Sequence, residues 1–163
     1  MKKPFEKICM VGLGYIGLPT AVVFALRNIK VVGLDINQSA VDRINAGESH
    51  IVEPGLDDAL RRSGRSGLLR ATTEPEEAQA FLIAVPTPFL NGGDEKIPDL
   101  SYVESAARKI APVLKKGDLV VLESTSPVGA TEQMAAWLAE ERPDLTFPLT
   151  HGEDSDIRVA HCP

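Results

Sequence analysis

Gly12-Leu13-Gly14-Tyr15-Ile16-Gly17 stands directly after a short apolar run, Lys7-Ile8-Cys9-Met10-Val11, and directly before a helical pattern. A second run, Lys30-Val31-Val32-Gly33-Leu34, ends on Asp35. A glycine triplet alone serves any strand-to-helix turn. Set between a strand and a helix, with an acid at the tip of the next strand, it points to a bound dinucleotide. Gly12 permits the tight turn out of the strand, and Gly14, lacking a Cβ, lets backbone approach a pyrophosphate closely. Gly17 allows the helix to pack against the sheet. The helix N-terminus adds free N–H groups and the positive end of its dipole. Pro19 must then fall near the first turn, where a missing N–H costs nothing. Asp35 is placed to take both hydroxyls of a ribose.

Two more loops leave strand ends. Val85-Pro86-Thr87-Pro88 follows one strand, and Ser124-Thr125-Ser126-Pro127-Val128-Gly129 follows another. Ligands of open α/β sheets bind outside the carboxyl ends of the strands. If the sheet is doubly wound, these two loops and the glycine turn share one edge. The glycine turn would hold the pyrophosphate, and the other two would face the ribose and nicotinamide half. Thr87 and Thr125 can donate and accept hydrogen bonds there. A threonine after a strand also caps local turns, so both readings stand at this level.

The elements that must position these loops alternate between strand and helix, which predicts a parallel sheet covered on both faces. Ser39–Asn45 reads as a short helix closed by Gly47, and Pro54–Arg62 as another, ended near Gly64. Leu68–Thr72 is a short strand, and Phe81–Val85 a fully apolar, central one. Proline at 86 and 88 stops it. A polar loop runs from Phe89 to Pro98 with its tip at Gly92-Gly93-Asp94-Glu95. Ser101 with Glu104 is a capping-box candidate opening a long helix, striped by Val103, Ala107, Ile110 and Leu114 and ended by Gly117-Asp118. Leu119–Leu122 is the next buried strand. The Ser124–Gly129 turn leads into a helix running to about Arg142, and Ile157–Ala160 forms a last strand. His151–Asp156 reads as a solvated loop.

Bulk properties narrow the class. A chain of 163 residues, 44% hydrophobic and 25% charged, suits one globular domain with a real core. A net charge of −6 leaves no electrostatic footprint for nucleic acid. No apolar run approaches the roughly 20 residues that span a bilayer. Met1-Lys2-Lys3 is not followed by the apolar core of a signal peptide. Cys9 and Cys162 suggest no disulfide framework. The natural expectation is a cytoplasmic protein without membrane or nucleic-acid partners. His50, His151 and His161 show no metal spacing. His161 and Cys162 are neighbours on a strand, so their side chains point to opposite faces.

Gly12-x-Gly14-Tyr15-Ile16-Gly17-Leu18-Pro19, Val85-Pro86-Thr87-Pro88 and Glu123-Ser124-Thr125-x-Pro127-x-Gly129-x-Thr131 together resemble the UDP-glucose/GDP-mannose dehydrogenase family. Ile51-Val52-Glu53-Pro54 and Pro98–Ala107 are similar to its bacterial members acting on UDP-N-acetyl-D-mannosamine. The resemblance implies a Rossmann-like doubly wound fold and NAD as cofactor. It carries over Gly12, Gly14, Tyr15, Ile16, Gly17, Asp35, Val85, Pro86, Thr87 and Thr125 as cofactor contacts. Thr125 is also implied near the reaction centre, positioning water or substrate. The implied reaction takes a nucleotide sugar's hydroxymethyl group to a carboxylate with two NAD, for surface polysaccharide. A homodimer is implied for the full-length enzyme. The family's nucleophilic cysteine, lysine and asparagine lie beyond the position of Pro163. Residues 1–163 are therefore expected to be a truncated cofactor domain, inactive by itself. UDP-glucose, UDP-N-acetylglucosamine or GDP-mannose as substrate, or a non-catalytic NAD-binding module, are the alternatives.

Overall fold

The structure, a computed structural model, describes residues 5–90 and 97–162. Six strands form one parallel sheet: β1 (Lys7–Val11), β2 (Lys30–Leu34), β3 (Leu69–Thr72), β4 (Ala80–Ile83), β5 (Leu119–Leu122) and β6 (Arg158–His161). Their order across the sheet is β3-β2-β1-β4-β5-β6. The chain therefore winds outward from β1 in one direction, returns, and winds outward in the other. The seam between β1 and β4 is the switch point at which such sheets bind ligands.

Strand alternation divides the core in two. Ile8 and Met10 of β1 face one way with Val31, Leu69 and Ala71. They pack under α1 (Gly17–Leu26), α2 (Gln38–Asn45) and α3 (Leu56–Arg65). Cys9 and Val11 face the other way with Phe81, Ile83, Val120 and Leu122. These meet α4 (Ser101–Ile110) and α5 (Ala130–Glu141) through Val103, Ala107, Ile110, Met134 and Leu138. Burial on both faces explains why the strands read as continuous apolar runs.

Several local expectations shift. The connection from β3 to β4, residues 73–79, contains no helix, so strict alternation fails once. It is tied down instead. Gln79 Oε1 accepts from the backbone N of Glu6 and Lys7, and Glu76 pairs with Lys7 and Arg70. Ser101 does not cap α4. It is the first helical residue, and Asp99 Oδ1 accepts from its N–H at 2.9 Å, while Glu104 pairs along the helix with Arg108. That helix ends at Ile110 in a 3-10 turn over Ala111–Val113, because Pro112 cannot continue the ladder. Helix α3 starts two residues later than Pro54, behind Gly55 at φ 78, and runs through Gly64. β4 spans Ala80–Ile83 rather than Phe81–Val85. The His151–Asp156 segment expected as a solvated loop begins at the last residue of the short α6 (Pro148–His151) and continues as a 3-10 turn at Gly152–Asp154. The Gly92–Glu95 tip lies outside the described residues. Among those described, no helix is long and apolar enough to cross a membrane, and no three metal-ligating side chains gather.

Candidate dinucleotide site

Register sets the site. Thr72, Leu34, Val11, Ile83, Leu122 and His161 are paired across the whole sheet in a single row. One residue higher, a second row continues the ladder. Asp35 N donates to Thr72 O, Gly12 N to Leu34 O, Ala84 N to Val11 O, Glu123 N to Ile83 O and Cys162 N to Leu122 O, at 2.8–3.1 Å. Asp35, Gly12, Ala84 and Glu123 thus stand at one level on the carboxyl edge, on adjacent strands.

The glycine turn is built as its residues require. Gly12 has φ 89, and a Cβ there would sit 2.6 Å from Ala84 O. A Cβ at Gly17 would lie 1.8 Å from Gly12 O, so this glycine lets α1 close against the turn itself. Gly14 is different. A Cβ there meets nothing within 4 Å, and the residue borders an open cavity. Gly12 and Gly17 therefore shape the turn, whereas Gly14 keeps space clear in front of it. A third close approach comes from Gly33, where a Cβ would lie 2.8 Å from both Leu13 methyls. Gly33 makes room for the buried Leu13 inside the turn, a role no motif announces.

Asp35 anchors the turn from the next strand. Its Oδ2 accepts from Leu13 N and its Oδ1 from Asn37 N, both at 2.9 Å. Two backbone donors hold the carboxylate in one orientation. Asn37 in turn caps α2 through Ser39 N and Ala40 N.

The two outer loops are joined. Thr87 Oγ1 donates to Thr125 O at 2.5 Å, and Ser124 Oγ donates to Val85 O at 2.9 Å. The Thr87 hydroxyl thus ties the neighbouring loop instead of capping its own turn, and Thr87 lines the cavity. The Thr125 hydroxyl makes no hydrogen bond among the described residues. His161 approaches the same loop from β6, with Nε2 3.3 Å from Ser124 O and 3.4 Å from Ser126 Oγ. It is engaged there, and Cys162 is exposed beside it.

These parts enclose a cavity of about 660 Å³, within the size range of small-molecule sites. Gly12, Gly14, Tyr15, Ile16, Asp35, Val85, Pro86, Thr87 and Thr125 all line it. Gly17 alone of the expected contacts lies behind it. Ile36, Tyr102, Ser105, Lys109 and Glu123 also line it; none was given a site role from sequence, although Glu123 opens the quoted Glu123–Thr131 motif. Tyr102, Ser105 and Lys109 recur at helical spacing along α4, a signal legible only once that helix is known to flank the site.

Glu123 is the unexpected member. Its Oε1 accepts from Thr20 Oγ1 of α1 at 3.3 Å, while Oε2 is buried and without a partner among the described residues. Burial pushes its carboxyl above the usual range, and the Thr20 bond pulls it partly back. Lys109, the one cation among the described lining residues, pairs with Glu74 at 3.0 Å.

Open space before Gly14, a fixed carboxylate one strand away and an orphaned acceptor two strands away on the other side fit a ligand lying along the edge. The ligand they fit has a phosphate-bearing centre and a hydroxyl-bearing arm on the Asp35 side. Comparison with known proteins gives the family. The NAD binding domain of the UDP-glucose/GDP-mannose dehydrogenase family matches residues 6–163. The chain is 69% identical over 159 residues to the NDP-N-acetyl-D-galactosaminuronic acid dehydrogenase of Ralstonia nicotianae, covering 98% of this chain and 37% of that protein. It is 65% identical to the UDP-N-acetyl-D-mannosamine dehydrogenase of Campylobacter jejuni, covering 98% and 39%. The solved UDP-N-acetyl-mannosamine dehydrogenase Cap5O of Staphylococcus aureus superposes with a TM-score of 0.86 at 38% identity, over 96% of this chain and 36% of that one. The chain thus spans under two fifths of the length of these relatives.

Proposed function

Because the chain belongs to the UDP-glucose/GDP-mannose dehydrogenase family, as its NAD-binding domain, we propose that the enzyme it serves is a UDP-N-acetyl-D-mannosamine dehydrogenase. The observation that carries this reading is the 65% identity to the Campylobacter jejuni enzyme of that name. In this reading the enzyme oxidises the sugar's hydroxymethyl group to a carboxylate with two NAD, and the product serves surface polysaccharide.

The chain's own residues divide the work. The N–H groups of the turn and of the first turn of α1 would receive the pyrophosphate, with the helix dipole aiding. Gly14 leaves room for it. Asp35 would accept from the adenosine ribose hydroxyls with a carboxylate already oriented by Leu13 and Asn37. Tyr15, Ile16, Val85 and Pro86 would supply apolar contact. Thr87 would hold the Thr125 loop in place, leaving the Thr125 hydroxyl to position substrate or water. When bound, NAD supplies the hydride acceptor; no residue of this chain does so.

A second reading has its own support. The Ralstonia nicotianae relative, at 69% identity, carries the name of an N-acetyl-galactosaminuronic acid dehydrogenase. Turnover by the full-length gene product separates the two. NADH formation with UDP-N-acetyl-D-mannosamine, at a kcat/KM at least tenfold above that with UDP-N-acetyl-D-galactosamine, is the expected result. The reverse order would select the second reading.

A further inference from the structure

We propose that the Glu123 carboxylate makes the site prefer the oxidised over the reduced cofactor, by placing at its nicotinamide end a negative charge that no cation among the described residues balances. The proposal rests on the reading above, that the cofactor lies along the carboxyl edge with its adenosine half at Asp35. In the row of edge residues, Asp35 stands on β2, Gly12 on β1, Ala84 on β4 and Glu123 on β5. With strands about 4.8 Å apart, Asp35 and Glu123 are roughly 14 Å apart, on opposite sides of the glycine turn. If the pyrophosphate sits at the turn and one ribose at Asp35, the other half of the molecule extends over β4 and β5. Glu123 is the acid met on that side.

The two acids differ in their surroundings. Each oxygen of Asp35 accepts a backbone N–H at 2.9 Å. Glu123 has one oxygen on Thr20 and one buried without any partner among the described residues. Lys109, the cation lining the cavity, is paired with Glu74. Once ionised, this half-buried carboxylate, with one oxygen shut away from solvent, acts over several ångströms without contact, because surroundings of low polarity weaken charge interactions less than water does. The nicotinamide ring carries one positive charge when oxidised and none after taking up a hydride. Glu123 therefore attracts the oxidised form selectively and has no such hold on the reduced one. The consequence is functional: the reduced product leaves the site more readily than the oxidised reactant.

The test is calorimetric titration of the 163-residue chain with oxidised NAD, NADH and ADP-ribose, which lacks the nicotinamide. Glu123→Gln should weaken oxidised NAD about tenfold, equivalent to about 1.4 kcal/mol. NADH and ADP-ribose should stay within about twofold. Glu123→Asp, which keeps the charge, should retain most of the preference. Glu123→Ala gives a second neutral variant should the glutamine variant fail to fold, and circular dichroism checks both. Equal weakening of all three ligands would make Glu123 a structural residue and overturn the proposal, as would an unchanged ratio of oxidised to reduced affinity. Failure of the underlying placement has a separate signature. Asp35→Ala should weaken all three ligands alike, because they share the adenosine ribose. If it leaves all three unchanged, the cofactor does not lie as drawn, and the proposal falls with that reading.

Discussion

Asp35 does two jobs with one carboxylate. It fixes the turn through Leu13 N, and that bond together with the one from Asn37 N holds it in one orientation, the one the proposed ribose contact needs. A 2′-phosphate in the same place would meet its negative charge, and no arginine follows at once in Ile36-Asn37-Gln38-Ser39. The unmutated chain should therefore bind NAD more tightly than NADP in calorimetry, and equal affinities would refute the assignment. Asp35→Ala loses a charge-assisted hydrogen bond of about 1.5–3 kcal/mol, so NAD affinity should fall roughly ten- to a hundredfold. The two cysteines also differ at this scale. Cys9 is buried in β1, and burial pushes its thiol up to about 12, with Lys7 opposing and Glu76 adding slightly. A thiol with such a value holds almost no thiolate near pH 8, and its core position blocks reagents. Cys162 is exposed. A colorimetric thiol reagent should label one cysteine per native chain and two in denaturant. Rapid labelling of both in the native state would contradict the packing of β1.

At the scale of elements, the site is the junction of β1 and α1. Gly12 needs a positive φ and contact with Ala84, and Gly17 needs contact with Gly12, so neither tolerates a side chain. Gly14 shares neither constraint. Its φ is not positive, and open space lies where its Cβ would be. Gly14→Val should leave the fold intact, with an unchanged circular dichroism spectrum, and reduce NAD affinity at least tenfold by filling the space proposed for the pyrophosphate. Unchanged affinity would place the pyrophosphate elsewhere. The same element contrast explains the two outer loops. They are short and tied to each other by Thr87 and Ser124, so their geometry depends on β4 and β5 being neighbours.

At the scale of the molecule, neither cysteine of the described residues is set up as a covalent catalyst for the cofactor cavity. Nucleophilic catalysis by a thiol needs an activated thiolate with a base beside it. Cys9 is buried with its thiol raised, and the His161 ring beside exposed Cys162 is turned to Ser124 and Ser126 instead. The 163-residue chain should therefore bind NAD yet show no rise in NADH absorbance with UDP-N-acetyl-D-mannosamine and excess NAD. In the full-length enzyme, Cys162→Ser should leave most of the activity. Sustained turnover by the short chain, abolished by alkylating Cys162, would reverse both statements.

Sequence by itself determined the parts whose physics is local. Alternating buried runs and helical stripes specify a parallel sheet covered on both faces. Gly12, Gly14 and Gly17 mark the turn by their spacing, the first and last because no side chain fits there and Gly14 because it leaves open space, and Asp35 follows at the next strand's tip. Helix limits were less legible, since Asp99 rather than Ser101 holds the start of α4 and Pro112 ends it early. Tertiary structure alone decided what depends on strand order. The return of the chain to β4 beside β1 is not written in any window of residues. It brings Thr87 against Thr125, sets Lys109 of α4 at the cavity, and puts Glu123 at the level of Gly12 with one oxygen unpaired among the described residues. Neither the isolation of that carboxylate nor the room that Gly33 makes for Leu13 could be read in advance, because both are properties of contacts between strands far apart in the chain.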